Sequence, residues 1–420
     1  MNDQQPRIAY LVSRFPHFTE TFIVREIHEV LNAGIDVSVY ALRDFEQEAV
    51  QPAAEALMPR VTWGNRLPAT ELIGAIAGWM VRRPVRMAKV VLQAVAGNLR
   101  SPKFLARAMV ALPVAMAFAR RMERDGVQHV HAHWATHPAL AAWAIHQLTG
   151  IPYSVTVHAH DLYVVRPMIE RKLNDATAVV TISEFNRRLL TEIHPPLSGR
   201  LHVIPCGVEL GEFGSGERSK NQILCVGSLQ DYKGQRYLID AIKRLRVSGR
   251  DLSLILVGDG DLRSELTAQV DRLDLRSAVE FAGHQPTARV SELLATATVV
   301  VQPSVVTPNG KMEGVPVALM EALASEAAVV ATDISGISEL VVDGVTGLLV
   351  PQRDVAALVD AVATLLDDAD LRARLGRAGR DHVARSSALE QNAEALVRVL
   401  TTPSSGADEG IEDLIEGATS

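Results

Sequence analysis

The feature that most constrains this chain is a repeated alternation of short β-branched runs with amphipathic helical segments. Residues 8–12 are followed by a helical pattern over 21–33, and residues 222–226 by one over 235–246. Strands that alternate with helices in this way form parallel sheets covered by helices on both faces. The alternation therefore predicts an α/β fold of doubly wound parallel sheets.

The alternation stops once, between Pro205 and Asn221. The intervening residues are rich in Gly, Ser and charge, which is typical of an interdomain linker. We predict an N-terminal Rossmann-like domain over 1–205, a C-terminal one over 206–385, and a helix over 386–400 that returns to the N-terminal domain. Ligands bind at the carboxyl edge of such sheets, so functional residues are expected at strand ends, facing one another across a cleft.

Composition indicates a soluble globular protein, with 48% hydrophobic and 22% charged residues in a chain of 420. The two cysteines, Cys206 and Cys225, cannot build a disulfide framework, which fits a reducing compartment. No signal peptide precedes the first strand, and no uncharged apolar stretch reaches the roughly 18 residues of a membrane span. We therefore expect a cytoplasmic protein that is not integral to a membrane.

The net charge of −7 is unevenly distributed. Residues 1–205 carry 22 Lys/Arg and 17 Asp/Glu, a balance of +5, and the remainder carries 20 and 32, a balance of −12. Residues 66–125 are predicted to be a helical insertion, in which 79–124 hold ten basic residues and one acid. Such a stretch suits an anionic membrane surface, but an ordinary insertion with solvated basic faces would look the same. Residues 401–420, with five acids and no base, are predicted to be a disordered acidic tail.

The most informative motif is Glu313-Gly314-Val315-Pro316, which leads into a helix that carries Glu321. Gly314 allows close approach of the backbone to a ligand, and Pro316 is a good first helical residue. The free N–H groups and dipole of a helix start favour phosphate. Glu313 and Glu321 could reach different hydroxyls of one nucleotide sugar, although a loop charge and a solvated helix glutamate give the same pattern.

Three turns follow successive strands of the same half, at 226–234, 257–260 and 281–284. The first carries Lys233, and a lysine at a strand-to-helix turn can meet phosphate as a point charge. Each turn alone could be only structural. Their shared position at the carboxyl edge of one sheet predicts a ligand site.

Alternating histidines end two strands of the N-terminal half, in His129-Val130-His131-Ala132-His133-Trp134 and in His158-Ala159-His160-Asp161. Histidines are common metal ligands, but alternate strand residues point to opposite faces, and no carboxylate or cysteine completes a zinc spacing. We predict no metal. His133 and Trp134 are expected to line an acceptor pocket. His158 could be either a functional residue at its strand end or an ordinary buried histidine of the core.

The ordered motifs Val-Gly-x-Leu-x-x-x-Lys-Gly, Val-Gly-Asp-Gly, Phe-x-Gly and Glu-Gly-x-Pro-x-x-x-x-Glu-Ala resemble glycosyltransferase family 4 over about residues 222–385. The run 336–347 matches the same family. Ser-Arg-Phe-Pro at 13–16, Glu-Thr-Phe-Ile at 20–23 and His-Ala-His-Trp resemble its colanic-acid-type exopolysaccharide branch and extend the likeness over nearly the whole chain. This resemblance implies a GT-B fold, a UDP- or GDP-sugar donor, retention of anomeric configuration and no metal or other cofactor. The implied acceptor is a glycan or lipid-linked glycan at the inner face of the cell membrane.

The resemblance also implies roles for particular residues. Lys233 would contact the donor diphosphate, Glu313 the sugar hydroxyls and Glu321 the ribose, while His158 would touch the donor sugar. The remaining donor contacts are expected at Gly227, Ser228, Gly283, His284, Gly314, Val315 and Pro316. The acceptor side is expected to use Arg14, Glu20, His133 and Asp161.

One position departs from the family pattern. Many relatives have an arginine where this chain has Ser228, and that arginine helps to bind the diphosphate. Lys311 or Arg236 could compensate, or donor binding could be weaker. Two other functions stay open: a sugar-nucleotide epimerase of the same fold, and a catalytically silent nucleotide-sugar-binding subunit.

Overall fold

A computed structural model of the chain describes residues 6–17, 20–45, 52–164 and 166–402. The chain divides into two compact units. The described residues within 1–182, 186–204 and 390–420 belong to unit 1, and those within 183–185 and 205–389 belong to unit 2. The predicted acidic tail, apart from its first two residues, lies outside the described residues.

The N-terminal part of the chain forms a seven-stranded sheet in the order β3-β2-β1-β4-β5-β6-β7, with every neighbouring pair parallel. Its strands are β1 (Arg7–Phe15), β2 (Asp36–Asp44), β3 (Val61–Trp63), β4 (His129–His133), β5 (Tyr153–Val157), β6 (Ala178–Thr181) and β7 (Leu201–Val203). The helices are α1 (Thr21–Asn32), α2 (Pro52–Leu57), α3 (Ala69–Arg82), α4 (Pro84–Asn98), α5 (Pro102–Asp125), α6 (His137–Thr149), α7 (His160–Tyr163), α8 (Ile169–Asn174) and α9 (Glu184–Ile193).

Unit 2 contains a six-stranded parallel sheet in the order β10-β9-β8-β11-β12-β13. Its strands are β8 (Gln222–Val226), β9 (Ser253–Val257), β10 (Val279–Gly283), β11 (Val299–Gln302), β12 (Val329–Thr332) and β13 (Leu348–Val350). The helices are α10 (Gln235–Val247), α11 (Arg263–Arg272), α12 (Thr287–Thr296), α13 (Val317–Ala324), α14 (Ile337–Leu340), α15 (Val355–Asp367) and α16 (Ala369–Ser386).

Alternate residues of the unit 2 strands enter two different hydrophobic cores, one on each face of the sheet. On β8, Ile223 and Cys225 pack in one core and Leu224 in the other. On β9, Leu254 and Leu256 join the first core. A strand buried on both faces reads as a continuous apolar run, which is why the sequence pattern predicted these strands. The predicted doubly wound α/β class is confirmed.

The segment 206–220, which the sequence predicted as a linker, is a packed part of unit 2. Val208 and Phe213 are at most 1% exposed and lie in a core of that unit. The linker was predicted from its Gly, Ser and charged residues, and the burial of these two apolar side chains was not expected. Neither cysteine forms a disulfide within the described residues.

The chain ends, within the described residues, in α17 (Leu389–Thr401). Its Leu396 and Leu400 are buried in the core of unit 1 beside Ile8 and Ile27. A segment more than 350 residues distant in sequence from β1 therefore completes the first hydrophobic core.

Helix α5 is the one described helix that is long and apolar enough to cross a membrane. Half of its most apolar window is buried inside the protein, as in the core helix of a soluble fold. Length and composition of a single helix are weak grounds for a membrane span.

Candidate active site

The strand order of unit 2 reverses between β8 and β11, which are neighbours in the sheet but not in sequence. Open parallel sheets bind ligands at the carboxyl ends of the strands at such a switch point. The turn after β8 carries Lys233, and the loop after β11 carries Lys311 and Glu313. The topology thus brings together residues that are 80 positions apart.

Lys233 is fixed by tight packing between these two segments. Gly234 has a φ of +69°, and a Cβ placed on it would lie 1.9 Å from the carbonyl oxygen of Pro303. The amide of Val305 donates to the carbonyl of Tyr232 at 2.8 Å. Only glycine tolerates this conformation at such close range, so Gly234 locks the turn that presents Lys233.

Lys233 and Glu313 form a nearly buried ion pair, with 2.6 Å between Nζ and Oε2. Burial alone lowers the pKa of Lys233, but the adjacent Glu313 carboxylate outweighs it and the pKa ends above its usual value. The lysine is therefore charged at neutral pH. A diphosphate that enters here would meet a cation already held in place.

Lys311 lies beside the same pair, whereas Arg236 is engaged elsewhere. The Lys311 ammonium lies 4.3 Å from the centre of the Tyr232 ring, and that of Lys233 lies 5.5 Å from it. Arg236 instead pairs with Asp231 at 3.1 Å and Glu265 at 3.2 Å. Of the two predicted substitutes for the missing arginine, the geometry favours Lys311.

Helix α13 begins at Val317, and Pro316 occupies the N-cap position, with extended backbone angles, rather than the first helical position. The amides of Leu319 and Met320 donate to the Pro316 carbonyl. Among the described residues, none accepts from the N–H groups of Val317 and Ala318. Two free amides at a helix start form an anion site.

The loop before α13 is braced by the turn 335–336. The Ser335 hydroxyl donates to the Gly314 carbonyl at 3.0 Å. A Cβ on Gly336 would lie 2.7 Å from the side chain of Val315. Gly314 and Val315 are thereby held next to Glu313, while Glu321 lies half-buried one turn into the helix.

The three predicted glycine turns are joined by their backbones. Gly227 N–H donates to the Val257 carbonyl at 2.9 Å, and Gly258 N–H donates to the Gly283 carbonyl at 2.8 Å. Gly258 has no room for a side chain, since a Cβ would lie 2.3 Å from the Gly227 carbonyl oxygen. Ser228 is half-buried in the first turn, whereas Gly283, with a φ of +68° and no atom near its Cβ position, and the exposed His284 form an open rim.

Unit 1 has its own switch point, between β1 and β4, and a hydrogen-bonded histidine pair lies there. His133 Nδ1 lies 3.2 Å from His158 Nε2, and His133 Nε2 lies 3.0 Å from Glu26 Oε1. Tyr10 donates its hydroxyl to the same carboxylate oxygen at 3.0 Å. A carboxylate accepts, so in the neutral pair His133 carries its proton on Nε2 and accepts from His158 through Nδ1. This leaves Nδ1 of His158 as an acceptor.

His158 is enclosed by aromatic rings. The ring centre of Trp134 lies 4.3 Å away and that of Phe22 lies 5.2 Å away. Burial, reinforced by His133, lowers the pKa of His158 well below its usual value, so the imidazole is neutral at pH 7. Trp134 has a φ of +79°, which is uncommon for a residue other than glycine.

Asp161, predicted on the acceptor side, is 1% exposed and holds the backbone of this site. Its Oδ2 accepts from Ala135 N–H at 2.5 Å and from His158 N–H at 3.3 Å. Lys172, 2% exposed, donates to the carbonyls of Ala135 and Thr136. Burial raises the pKa of Asp161 to about 6 and lowers that of Lys172 to about 7. This buried pair braces the 134–136 loop and the start of α7.

The other predicted acceptor residues lie near β1. Burial raises the pKa of Glu20 to about 7, an effect opposed by His133 and Arg14. Arg14 is exposed at the end of β1, with its guanidinium 5.5 Å from the ring centre of Phe45. Glu20 and His133 are thus electrostatic neighbours.

No carboxylate completes a zinc spacing in the sequence, but the fold brings a distant one, Glu26, to the alternating histidines. Glu26, His131 and His133 offer ligand atoms within 4.8 Å of one another. Glu26 comes from α1, so no local spacing could reveal it. His131 is already bonded through both ring nitrogens, to Ser154 at 2.8 Å and Thr156 at 3.0 Å, so hydrogen bonds account for the cluster.

Sequence reasoning missed Glu26, Tyr10 and Lys172. Tyr10 lies on an apolar strand and Glu26 on an amphipathic helix, where both look like ordinary face residues. Lys172 follows an acid and an arginine in a short polar helix. Only the tertiary fold distinguishes these residues from solvated ones.

Two parallel-sheet α/β domains, each with polar residues at its switch point, define the GT-B class of glycosyltransferase. A family model described as "Glycosyl transferases group 1" matches residues 212–382, and one described as "Glycosyltransferase Family 4" matches residues 19–212. The chain belongs to glycosyltransferase family 4 and is a glycosyltransferase (EC 2.4).

Relatives of known name match nearly the full length. Glycogen synthase of Mycobacterium tuberculosis is 26% identical over 92% of this chain and 90% of its own. WcaL of Salmonella typhimurium, a glycosyltransferase named for colanic acid biosynthesis, is 25% identical over 94% and 98%. The solved structure of HepE from Anabaena in complex with UDP-glucose has a TM-score of 0.70, with 16% identity over 94% of this chain and 99% of that one. The resemblance to the family and to its exopolysaccharide branch is confirmed.

Proposed function

We propose that this enzyme transfers a sugar from a nucleotide-diphosphate donor to a glycan or lipid-linked glycan acceptor in exopolysaccharide or cell-envelope biosynthesis. The observation that carries the proposal is the charged Lys233, held 2.6 Å from Glu313 beside the free amides of α13. UDP-glucose bound to HepE and the name of WcaL support a nucleotide sugar and an exopolysaccharide setting.

Cleavage of the donor develops negative charge on the departing diphosphate. Lys233, Lys311 and the N–H groups of Val317 and Ala318 would stabilise that charge, because preorganised donors aimed at developing charge lower the barrier most. Glu313 would exchange its lysine for the sugar hydroxyls, and Glu321 would reach the ribose. Gly227, Ser228, Gly283 and His284 would line the nucleotide.

On the acceptor side, His158 would touch the donor sugar. Its neutral imidazole presents Nδ1 as an acceptor for a sugar hydroxyl, and Glu26 fixes that tautomer through His133. Arg14 and Glu20 would contact the acceptor. Asp161 would act through His158 and Ala135, as a positioning residue.

We further propose that transfer retains the anomeric configuration, needs no metal or cofactor, and takes place in the cytoplasm at the inner face of the membrane. The small number of cysteines, two in 420 residues, supports a reducing compartment.

Incubation with UDP-, GDP- and ADP-sugars, with and without a lipid-linked glycan, tests the proposal. We expect one nucleoside diphosphate to be released in proportion to glycosylated acceptor, and NMR of the product to show the donor's anomeric configuration. Epimerised nucleotide sugar without transfer would indicate the epimerase, and nucleotide binding without turnover would indicate the silent subunit; either result would overturn it.

A further inference from the structure

Exposed apolar side chains are concentrated in one small region of the protein. Of the eleven large hydrophobic residues exposed in the described part of the chain, eight lie in α3, α4 and α5 or directly after α4. They are Ile73, Met80, Val81, Val85, Leu92, Leu99, Met109 and Val110. Concentrated exposed apolar surface marks a partner or a membrane, whereas scattered residues mark neither.

On α4 these residues form a row. Val85, Leu92 and Leu99 follow one another at intervals of seven, which is two helical turns, and are 80%, 69% and 62% exposed. The opposite face is buried through Val90 and Ala94. Helix α4 thus has two apolar faces, one packed in the protein core and the other exposed to solvent.

Basic residues flank the row on α4 and the first half of α5, where no acid occurs. Arg86, Lys89, Arg100, Lys103 and Arg107 are exposed, and none forms an ion pair with a residue that the structure describes. No Asp or Glu occurs between Glu71 and Glu123. Those two acids are already neutralised, by Arg121 at 2.6 Å and by Arg82 at 3.2 Å. The surface is therefore apolar and positively charged.

We infer that α3, α4 and the first half of α5 form a docking surface for an anionic lipid bilayer. Apolar side chains with basic neighbours match the two layers of such a bilayer: the row enters the acyl boundary and the Lys and Arg side chains reach the headgroups. A second copy of this chain is a poorer occupant, because two identical basic faces repel. The proposed lipid-linked acceptor would lie in the same bilayer, so docking would bring the enzyme to its acceptor. The biological purpose of docking rests on the proposed function, but the evidence for the docking surface does not.

A groove beside the row extends the apolar surface. It has a volume of about 660 Å³, and Leu92 and Ala96 of α4 face Met168 and Ile169 across it. Arg166, Glu170 and Arg171 also line it. The groove thus adds apolar walls and two guanidinium groups, together with one carboxylate, to the surface of the row.

Sedimentation of the full-length protein with vesicles tests this surface, using phosphatidylcholine alone or with 30 mol% phosphatidylglycerol, at low and high salt. We expect binding to the anionic vesicles only, weakened by salt. The double variant Val85→Asp/Leu92→Asp should bind at least tenfold less, and Arg86→Glu/Lys89→Glu should lose about fivefold or more for each charge removed. The matched controls, Val247→Asp and Arg244→Glu on α10, alter an apolar residue that is 75% exposed and an exposed arginine in unit 2 and should bind as the unaltered protein does.

Circular dichroism and UDP affinity, measured on every variant, report whether the fold and the donor site are intact. Equal binding by all variants, no binding to anionic vesicles, or self-association that depends on Leu92 would each overturn the docking surface. Loss of vesicle binding with unchanged UDP affinity would contradict the docking surface but not the donor proposal. Loss of UDP affinity with unchanged vesicle binding would contradict the donor proposal but not the docking surface.

Discussion

At the residue scale, the proposed donor site contains a lysine that is charged although it is buried. Glu313 keeps Lys233 protonated and oriented. A bound diphosphate would take the place of the Glu313 carboxylate as the anionic partner of Lys233, so the buried ammonium would be paired both before and after binding. Lys311 adds a second cation, which lies near the same Tyr232 ring as Lys233. In the proposed donor site, this arrangement would supply the positive charge that the missing arginine at position 228 supplies in relatives.

Replacement of Lys311 by alanine should weaken UDP or GDP binding about tenfold or more, because a charge-assisted hydrogen bond contributes roughly 1.5–3 kcal/mol. The matched variant Arg236→Ala should change affinity little, since its guanidinium is paired with Asp231 and Glu265. Isothermal titration calorimetry measures both. A larger loss of nucleotide affinity for Arg236→Ala than for Lys311→Ala would show that Arg236, not Lys311, compensates for the missing arginine.

The buried Lys172 predicts a specific pH dependence of stability. Its pKa is about 7 in the folded chain and about 10.5 when unfolded, so between these values the unfolded state binds more protons. The unaltered protein should therefore gain free energy of unfolding, relative to Lys172→Met, as pH rises from 7 to 9, by at most about 1.4 kcal/mol per pH unit. Urea titrations at pH 7, 8 and 9 measure this. A difference that stays constant or shrinks would show that Lys172 is not buried as described.

At the element scale, the proposed donor site is built on three linked glycine turns, of which the one at Gly258 has no room for a side chain. The turns after β8, β9 and β10 are joined at Gly227, Gly258 and Gly283, so a change in one moves its neighbours. Helix α13 contributes its N-terminus, and the turn at Ser335 and Gly336 braces the loop before it.

The variant Gly258→Ala should lower stability and nucleotide affinity together, because its Cβ would collide with the Gly227 carbonyl. Gly249→Ala is the control: its φ is also positive, at +90°, but no atom lies within 4 Å. That control should cost only the roughly 1–2 kcal/mol of a left-handed conformation and leave affinity unchanged. Equal effects of the two variants in denaturant titration and calorimetry would contradict the close approach.

Much of this architecture could be predicted from the chain, because strands buried on both faces leave continuous apolar runs such as 222–226 and 299–302. The three-residue strands β3 and β13 were not predicted, whereas β7, which is equally short, was. Lys233 and Glu313 were predictable from their motifs. The choice of Lys311 over Arg236, and the partnership of Glu26 with His133, depend on contacts between distant segments that no local spacing encodes.

At the scale of the whole molecule, the two units are built from interleaved stretches of chain. Helix α17 follows unit 2 in sequence but fills the core of unit 1, where Leu396 is 1% exposed. The first unit therefore cannot complete its core until the last described helix is present.

The variant Leu396→Ala should destabilise unit 1 by about 2–5 kcal/mol through the cavity it leaves. Native-state hydrogen exchange should show faster exchange at β1 and β2 amides, with β8 and β9 unchanged. Val247→Ala, which alters an exposed residue, is the control and should change neither set. Faster exchange confined to β8 and β9 would contradict the assignment of α17.

The most direct test of the donor site is sugar transfer by Lys233→Ala and Glu313→Ala, compared with Lys220→Ala, which removes an exposed lysine of the same unit. Loss of the Lys233 ammonium should reduce kcat about 10²–10³-fold, as does removal of one preorganised donor to developing negative charge. Glu313→Ala should also impair transfer, and Lys220→Ala should not. Transfer at the unaltered rate by Lys233→Ala, with its fold intact, would contradict the account.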